Sequence, residues 1–556
     1  MAHSGRPSDA VTTDNAGGRQ IIEESPLLRT ANVSGGAHED DSYKRSLDAG
    51  ITLACMTNAA IVCLAPLQYG YHLAELNTPK KIITSCDKDG AHWGMLPRCL
   101  PMNDTVYSLA TSIFAVGGLV GSLSAGWMAE RWGRRGALVI NNASFIVGPL
   151  LMAFSVSPAM LIVGRFVSGI GSGAAAVVAP MYLSEIAPVK FRGTLNMLNQ
   201  LSIVMGILVA LIVGMLANEG PYWRIAVCFS IVFSCMHLAI TGFAVESPRY
   251  LWLHNRRTEA QAVLCRLRKT ANIDDEITGW TDPSVAKSIR RASVDPRSST
   301  SFSSNESLRV IQTDGRGVTN DRTPKPDDEH DDDEYNAAGN TLHVDSDNVT
   351  IFNVFRFAQY RKQWVLILLL HFGQQLSGIN TVFFYSSSVL EKMFSSYISS
   401  VLAMMIGVLN VLATASGALI VDRFGRRPLL LSSIASMTVS IVLLGLGLGL
   451  KINSLAAVSL YLVVASFAPG YGPVPFLLGT ELFDIRAAAA GGSWALAANW
   501  IGTFIVATAF LPLQNLIGEW VFSIFVVALV VCGITFYFHI PETKGRTIEE
   551  ISQHFK

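Results

Sequence analysis

Charge is scarce in this sequence. Asp, Glu, Lys and Arg make up 15% of the 556 residues, against about 25% in an ordinary soluble domain. A soluble chain this long would divide into several domains with charged surfaces, and the shortage argues against that plan. It also leaves no basic stripe of the kind nucleic acid demands, so no nucleic-acid partner is expected. The 42 acidic residues balance the 42 basic ones, but unevenly, because the run DDEHDDDE at 327–334 hides a basic excess elsewhere. Metal and redox spacing is missing too: the eight cysteines form no C-x-x-C. Cys55, Cys63, Cys228, Cys235, Cys265 and Cys532 read as small apolar side chains. No nucleophile–base pair or metal-ligand cluster stands out, so neither a cofactor nor an enzymatic activity is expected. Residues 1–45 are polar, with no apolar core or cleavage pattern, and no signal peptide is read there.

What the chain has is apolar length. Half of its residues are hydrophobic and its mean hydropathy is +0.38. Stretches near 20 residues recur at about 51–73, 105–128, 137–155, 160–183, 195–217, 223–244, 363–390, 397–421, 429–450, 455–478, 489–513 and 519–540. Each is long enough to cross about 30 Å of hydrocarbon as a helix. The pattern predicts an all-α membrane protein of about twelve transmembrane helices in two six-helix groups. We number the spans 1 to 12 in this order. Spans 2 and 4 carry GGLVGSLSAGW (117–127) and GIGSGAAA (169–176), small residues that let membrane helices approach closely.

The expected organisation is a polar tail at 1–48, a first bundle at 49–245, a central segment at 246–362, a second bundle at 363–540 and a tail at 541–556. The central segment begins with helical periodicity and basic residues over 247–269. It continues in Ser, Asp, Asn and Pro, a composition that cannot bury enough apolar surface to fold alone. Basic loops between spans 2 and 3, 4 and 5, and 8 and 9 place those loops, both tails and the central segment in the cytoplasm. The opposite loop after span 1 holds Cys86 and Cys99, which suit a disulfide on an oxidising side. It also holds Asn103, the start of a glycosylation triplet. Glu23, Leu27 and Leu28 lie in an acidic dileucine pattern that a sorting adaptor reads. The chain is therefore placed as a multi-pass protein of the plasma membrane or of a vacuolar or lysosomal membrane.

The halves echo each other. GWMAERWGRRGAL (126–138) returns as ALIVDRFGRRPLL (418–430), each time after the second span of its half. With these go PLQYGYHLAELNTPKKI (66–82), PMYLSEIAPVKFRG (180–193), VESPRYL (245–251), QQLSGINTVFFYS (374–386), GPVPFLLGTELF (472–483) and PETKGRT (541–547). In this order the motifs resemble the sugar porter family of the major facilitator superfamily, and its facilitative glucose transporters in particular. The resemblance implies two pseudo-symmetric bundles with the solute bound between them near the midplane.

Amides suit a neutral polyol, because each hydroxyl both donates and accepts. Gln374, Gln375 and Asn380 fall in span 7, where an interruption after Ser377-Gly378 aims the last two at one cavity. Gln200, Asn410 and Asn499 are further amides within spans. The resemblance implies that all six contact sugar, with Phe384, Tyr385 and Trp500 as aromatic neighbours. The family pattern also departs here. Ala468 and Phe476 stand where glucose transporters carry Glu and Trp, which weakens the case for glucose itself. His72 stands where proton-coupled relatives carry Asp and facilitative ones Asn. It is a possible proton site, read as lying near the outer membrane surface. No Asp or Glu reads as deep within the first bundle, which favours passive transport.

Charged positions matching the family's cytoplasmic gate complete the picture. The expected pairs are Glu185 with Arg192, Glu246 with Arg249, Glu130 with Arg134 and Arg135, and Asp422 with Arg426 and Arg427, with Glu481 and Arg486 on span 10. Ala488 replaces a second arginine there. The function these residues imply is facilitative carriage of a hexose or similar small polyol by alternating access. The alternatives are proton-coupled sugar symport and a sugar sensor without net flux.

Overall fold

The computed structural model describes residues 51–85, 92–93, 95–188, 191–269, 357, 360–483 and 487–544, with positions 273, 276, 277, 551 and 555. Glu23, Leu27, Leu28, Cys86, Arg486 and most of the central segment lie outside the described residues. Among those described, nine helices are long and apolar enough to cross a membrane. Two of them, over Asp104–Ala153 and Gly491–His539, each run through two crossings. A shorter apolar helix, Asn453–Phe467, continues after a turn into Val474–Glu481 as span 10. The chain is thus an integral, multi-pass membrane protein whose twelve crossings are helical. Lipid dictates that plan, since a helix satisfies its own backbone polar groups where no water can.

Small residues hold the first bundle together. A Cβ on Gly117 would run into the carbonyl oxygen of Phe166, and one on Gly121 into that of Ile170. Spans 2 and 4 therefore meet backbone to backbone along the stretches singled out in the sequence. Between the bundles, hydrogen bonds among the described residues gather at the outer end. Asn77 donates to Ser386 at 2.8 Å and accepts from the Ser387 N–H at 3.1 Å. Thr508 donates to Ser112 at 2.7 Å, and Asn515 to Asp104 at 2.9 Å. The outer face is closed by these contacts.

The loop after span 1 carries a small hairpin that pairs His92–Trp93 with Leu96–Pro97. Cys99 beside it is disulfide-bonded, while Cys55, Cys63, Cys228, Cys235, Cys265 and Cys532 are free. Asn103 is exposed, and its Oδ1 caps span 2 by accepting from the Val106 N–H at 2.9 Å. On the cytoplasmic side, the basic stretch after span 6 forms helices Pro248–Leu253 and Arg257–Arg268.

Candidate functional site

Span 7 supplies the centre of the site because it breaks. Helix Arg361–Leu376 stops, Gly378 turns at φ +79°, and helix Ile379–Leu390 resumes. A positive φ is one that glycine adopts without strain. The break brings Gln374, Gln375 and Asn380 together. Gln374 Nε2 donates to the carbonyls of Tyr471 at 2.5 Å and Gly472 at 2.9 Å, both on span 10. Its Oε1 accepts from Asn499 Nδ2 at 2.8 Å. Asn380 Nδ2 donates to Gln375 Oε1 at 2.6 Å and to Thr503 Oγ1 at 3.0 Å. Spans 7, 10 and 11 are thereby tied into one buried polar network in which each bond orients its neighbour.

The network faces a cavity of about 200 Å³ between the bundles. That is below the roughly 300–1,000 Å³ of sites for drug-sized ligands and suits a small solute. Gln200, Gln374, Gln375, Asn380, Asn410, Asn499, Phe476 and Trp500 all line it. Asn410 Nδ2 and Trp500 Nε1 are buried without a partner among the described residues, so both donors remain available to a solute. Ala468 lines the wall as well, and offers no acceptor. The lining continues through Pro180, Asn196 and Leu477, which lie toward the cytoplasmic ends of spans 4, 5 and 10. With the outer end closed, the cavity faces inward.

Two expected aromatic residues are elsewhere. Phe384 and Tyr385 are buried behind the wall; Tyr385 donates to the Ala507 carbonyl at 2.9 Å and stacks on Phe510. Phe383 lines the cavity instead. One residue turns a helix by 100°, and the break in span 7 hides that phase from a sequence reading. Two amides were missed: Asn196 and Asn199 join Gln200 on the lining, each with an Oδ1 unpartnered among the described residues. Their i, i+3, i+4 spacing places them on one helical face and is a signal the sequence does carry.

The first bundle also corrects the reading of its charge. His72 is fully buried within the bundle, and so is a carboxylate: Glu75 has a side-chain exposure of 0%. Arg165 on span 4, equally buried, donates to Glu75 Oε1 at 2.7 Å, to the His72 carbonyl at 2.6 Å and to the Thr111 carbonyl at 3.4 Å. Its guanidinium lies 4.5 Å from the Phe114 ring centroid. His72 Nδ1 meets Glu75 Oε2 at 2.9 Å, so with Glu75 ionised the Nδ1 carries the proton. Its Nε2 is then buried without a partner among the described residues. Phe114 packs against Tyr69 and Trp500, two residues of the cavity wall. The charged cluster thus touches the solute site through one aromatic ring.

At the cytoplasmic ends the pairing differs from the expected one. Gly133 and Gly425, at φ +78° and +87°, make the turn in each GRR loop. In the first, the Arg134 and Arg135 N–H groups donate to Glu246 at 2.9 and 3.2 Å. The Arg134 guanidinium forks onto both oxygens of Glu185 at 2.8 Å, and Ser247 Oγ donates to Glu185 at 2.5 Å. In the second, the Arg426 and Arg427 N–H groups donate to Glu542 at 3.0 and 3.1 Å. Arg426 bonds Glu481 Oε1 at 3.2 Å, while Thr543 donates to its Oε2 at 2.5 Å. Glu130, Arg192 and Arg249 are exposed, and none makes its expected ion pair; Arg192 Nε donates to the Ser184 carbonyl at 3.1 Å. The Asp422 side chain lies outside the described residues. Each clasp is confined to one bundle: one carboxylate, Glu246 or Glu542, caps the N–H groups of its own half's turn, and the other, Glu185 or Glu481, pairs with that turn's first arginine.

Two six-span bundles around a central, inward-facing cavity of amides define a membrane carrier of the major facilitator fold. The chain belongs to the sugar (and other) transporter family, whose model matches residues 58–302 and 300–555. It is similar to a probable metabolite transport protein of Saccharomyces cerevisiae, 32% identical over 511 residues that cover 89% of this chain and 94% of that one. It is also 32% identical over 506 residues to the facilitated glucose transporter member 1 of Gallus gallus, covering 89% and 91%. In fold it resembles the partially occluded inward-open xylose transporter XylE of E. coli, with a TM-score of 0.65 and 20% identity over 89% of this chain and all of that one.

Proposed function

We propose that the protein carries a hexose or similar small polyol across its membrane by alternating access. The observation that carries this reading is the amide network of Gln374, Gln375, Asn380 and Asn499 on the wall of a cavity between the bundles. Neutral hydroxyls need paired donors and acceptors, and Asn196, Asn199, Gln200, Asn410 and Trp500 add more of them on the same lining. Similarity to glucose transporters supports a sugar as solute. Ala468 and Phe476 favour a solute with fewer contacts on span 10 than glucose transporters provide. Counterflow of a panel of labelled hexoses, pentoses and polyols in proteoliposomes tests the reading; exchange of none of them counts against it.

Passive transport rested on the lack of a deep carboxylate, and Glu75 removes that support. Proton coupling is therefore the second reading, with His72, Glu75 and Arg165 as its site. With His72 neutral, Glu75 and Arg165 cancel; one proton on His72 or Glu75 leaves a buried net positive charge. A cluster that holds one extra charge in only one state would link proton and solute through Phe114. Imposing a pH gradient separates the readings: accumulation against a sugar gradient that vanishes in Glu75→Gln supports coupling, and equilibration alone supports uniport. The pattern around Glu23, Leu27 and Leu28 favours a vacuolar or lysosomal membrane.

A further inference from the structure

A second cavity lies away from the solute path. It encloses about 600 Å³ where the start of span 7 meets the end of span 12, at the cytoplasmic end of both. Span 7 contributes Arg361, Lys362, Val365 and Leu369, at i, i+1, i+4 and i+8 on one helical face. Span 12 contributes Phe538 and His539. Val365, Leu369 and Phe538 are exposed, on a surface that the membrane surrounds. Phe555, near the end of the chain, is buried and closes one wall.

The two ends of this groove differ in chemistry. Its cytoplasmic end carries Arg361, Lys362 and His539, and none of them takes part in an ion pair among the described residues. His539 Nδ1 donates to the Thr535 carbonyl at 2.9 Å, which leaves its Nε2 without a hydrogen-bond partner among the described residues. Glu542, three residues further on, is occupied by the N–H groups of Arg426, Arg427 and Lys544. The other end is apolar. From Arg361 to Leu369 the helix rises about 12 Å at 1.5 Å per residue, close to the roughly 15 Å of one leaflet's hydrocarbon.

We infer that this groove binds one anionic phospholipid of the cytoplasmic leaflet. Arg361, Lys362 and His539 hold the headgroup, and an acyl chain lies along Val365, Leu369 and Phe538. Basic residues at a cytoplasmic membrane surface attract anionic lipid, and the cavity adds a place for one molecule to sit. This site stands independently of the solute reading.

Native mass spectrometry of the full chain in neutral detergent, titrated with phosphatidylserine and phosphatidylcholine, tests the site. Phosphatidylserine is expected to be retained at roughly 25-fold lower concentration than phosphatidylcholine, given roughly five-fold for each of Arg361 and Lys362. Arg361→Gln with Lys362→Gln is expected to erase that preference. Leu369→Trp keeps every charge, and so the topology, but fills the groove; it is expected to lose phosphatidylserine as well. Arg266→Gln with Lys269→Gln, on the cytoplasmic helix after span 6, is expected to change nothing. Inorganic phosphate at matched concentration is expected not to displace the lipid. Equal retention of the two lipids, full retention by Leu369→Trp, equal loss in the Arg266 and Lys269 control, or displacement by phosphate would each overturn the proposal.

Discussion

The two bundles share a clasp and differ inside. Gly133, Arg134, Glu185, Glu246 and Ser247 in the first correspond one by one to Gly425, Arg426, Glu481, Glu542 and Thr543 in the second. Even the next arginine repeats: Arg135 donates to the Gly242 carbonyl at 3.1 Å and Arg427 to that of Tyr537 at 2.6 Å. Both halves face the same local problem, a tight turn whose N–H groups open a helix at the membrane surface, and both solve it with one capping carboxylate. The interiors diverge. The second bundle ties amides of spans 7 and 11 into a wall for a neutral solute. The first buries a charge pair, Glu75 with Arg165, and contributes to the cavity through Gln200 and its two neighbouring asparagines. The hydrogen-bonded amide network thus lies in one half and the buried charge pair in the other.

The largest expected effect breaks this division on its binding side. Gln375→Leu and Asn380→Ala should each lower counterflow at least a hundred-fold with expression intact, because a lost amide strands its partners in a dry site. Gln200→Ala, in the first bundle, should cost less than ten-fold. Equal losses in both halves would remove the asymmetry. Next comes Glu75→Gln, which leaves Arg165 buried without its counter-charge. Such a break costs about 3–5 kcal/mol, seen as a marked fall in Tm, and adding Arg165→Gln should restore part of it. The clasps give a smaller contrast. Arg134 and Glu185 keep 11% and 8% of their side chains exposed, against 17% and 27% for Arg426 and Glu481. Arg134→Ala should therefore lower stability by about 1 kcal/mol more than Arg426→Ala.

The smallest effect is a difference in pH slope. Burial raises Glu246 above the usual carboxylate range, and its backbone N–H bonds offset this only in part. Burial also works to raise Glu542, but N–H groups of Lys544, Arg426, Arg427 and Thr543 outweigh it and lower that carboxyl. A lowered carboxyl stabilises the fold above its unfolded value and loses that contribution as pH falls through the folded value. A raised one does the reverse, so stability falls as pH rises from the unfolded to the folded value. In melts from neutral to acid pH, Glu542→Gln should flatten the acid loss of Tm and Glu246→Gln should steepen it. The same sign of change in both variants would contradict the contrast.

Much of this was legible in the sequence for physical reasons. Twelve apolar runs, small-residue stretches and a repeated GRR turn are local patterns, and the bilayer leaves a chain few other ways to satisfy its backbone. The amides of span 7 stood out because polar groups are rare in such runs. Glu75 did not, because it falls just past the apolar stretch that ends near residue 73, where a charge reads as the end of a span. Its partner Arg165 is 90 residues away and looks like one more basic residue. The clasp pairs were misread for a related cause. Neighbours in sequence, such as Glu130 with Arg134, were matched first, whereas the fold brings Glu185 from the end of helix Pro158–Ile186 and Glu246 from the segment after span 6 to the turn. Phe383 was missed because a broken helix does not keep its phase.

The division between the halves is tested most directly by measuring solute binding and gradient-driven uptake side by side in wild type, Gln375→Leu and Glu75→Gln, using one labelled sugar that the wild type exchanges. The account predicts that Gln375→Leu loses binding. It predicts that Glu75→Gln, reconstituted as folded protein, binds within a few-fold of wild type while any dependence of uptake on a pH gradient disappears. Wild-type binding by Gln375→Leu, or loss of binding in folded Glu75→Gln as deep as in Gln375→Leu, would contradict it.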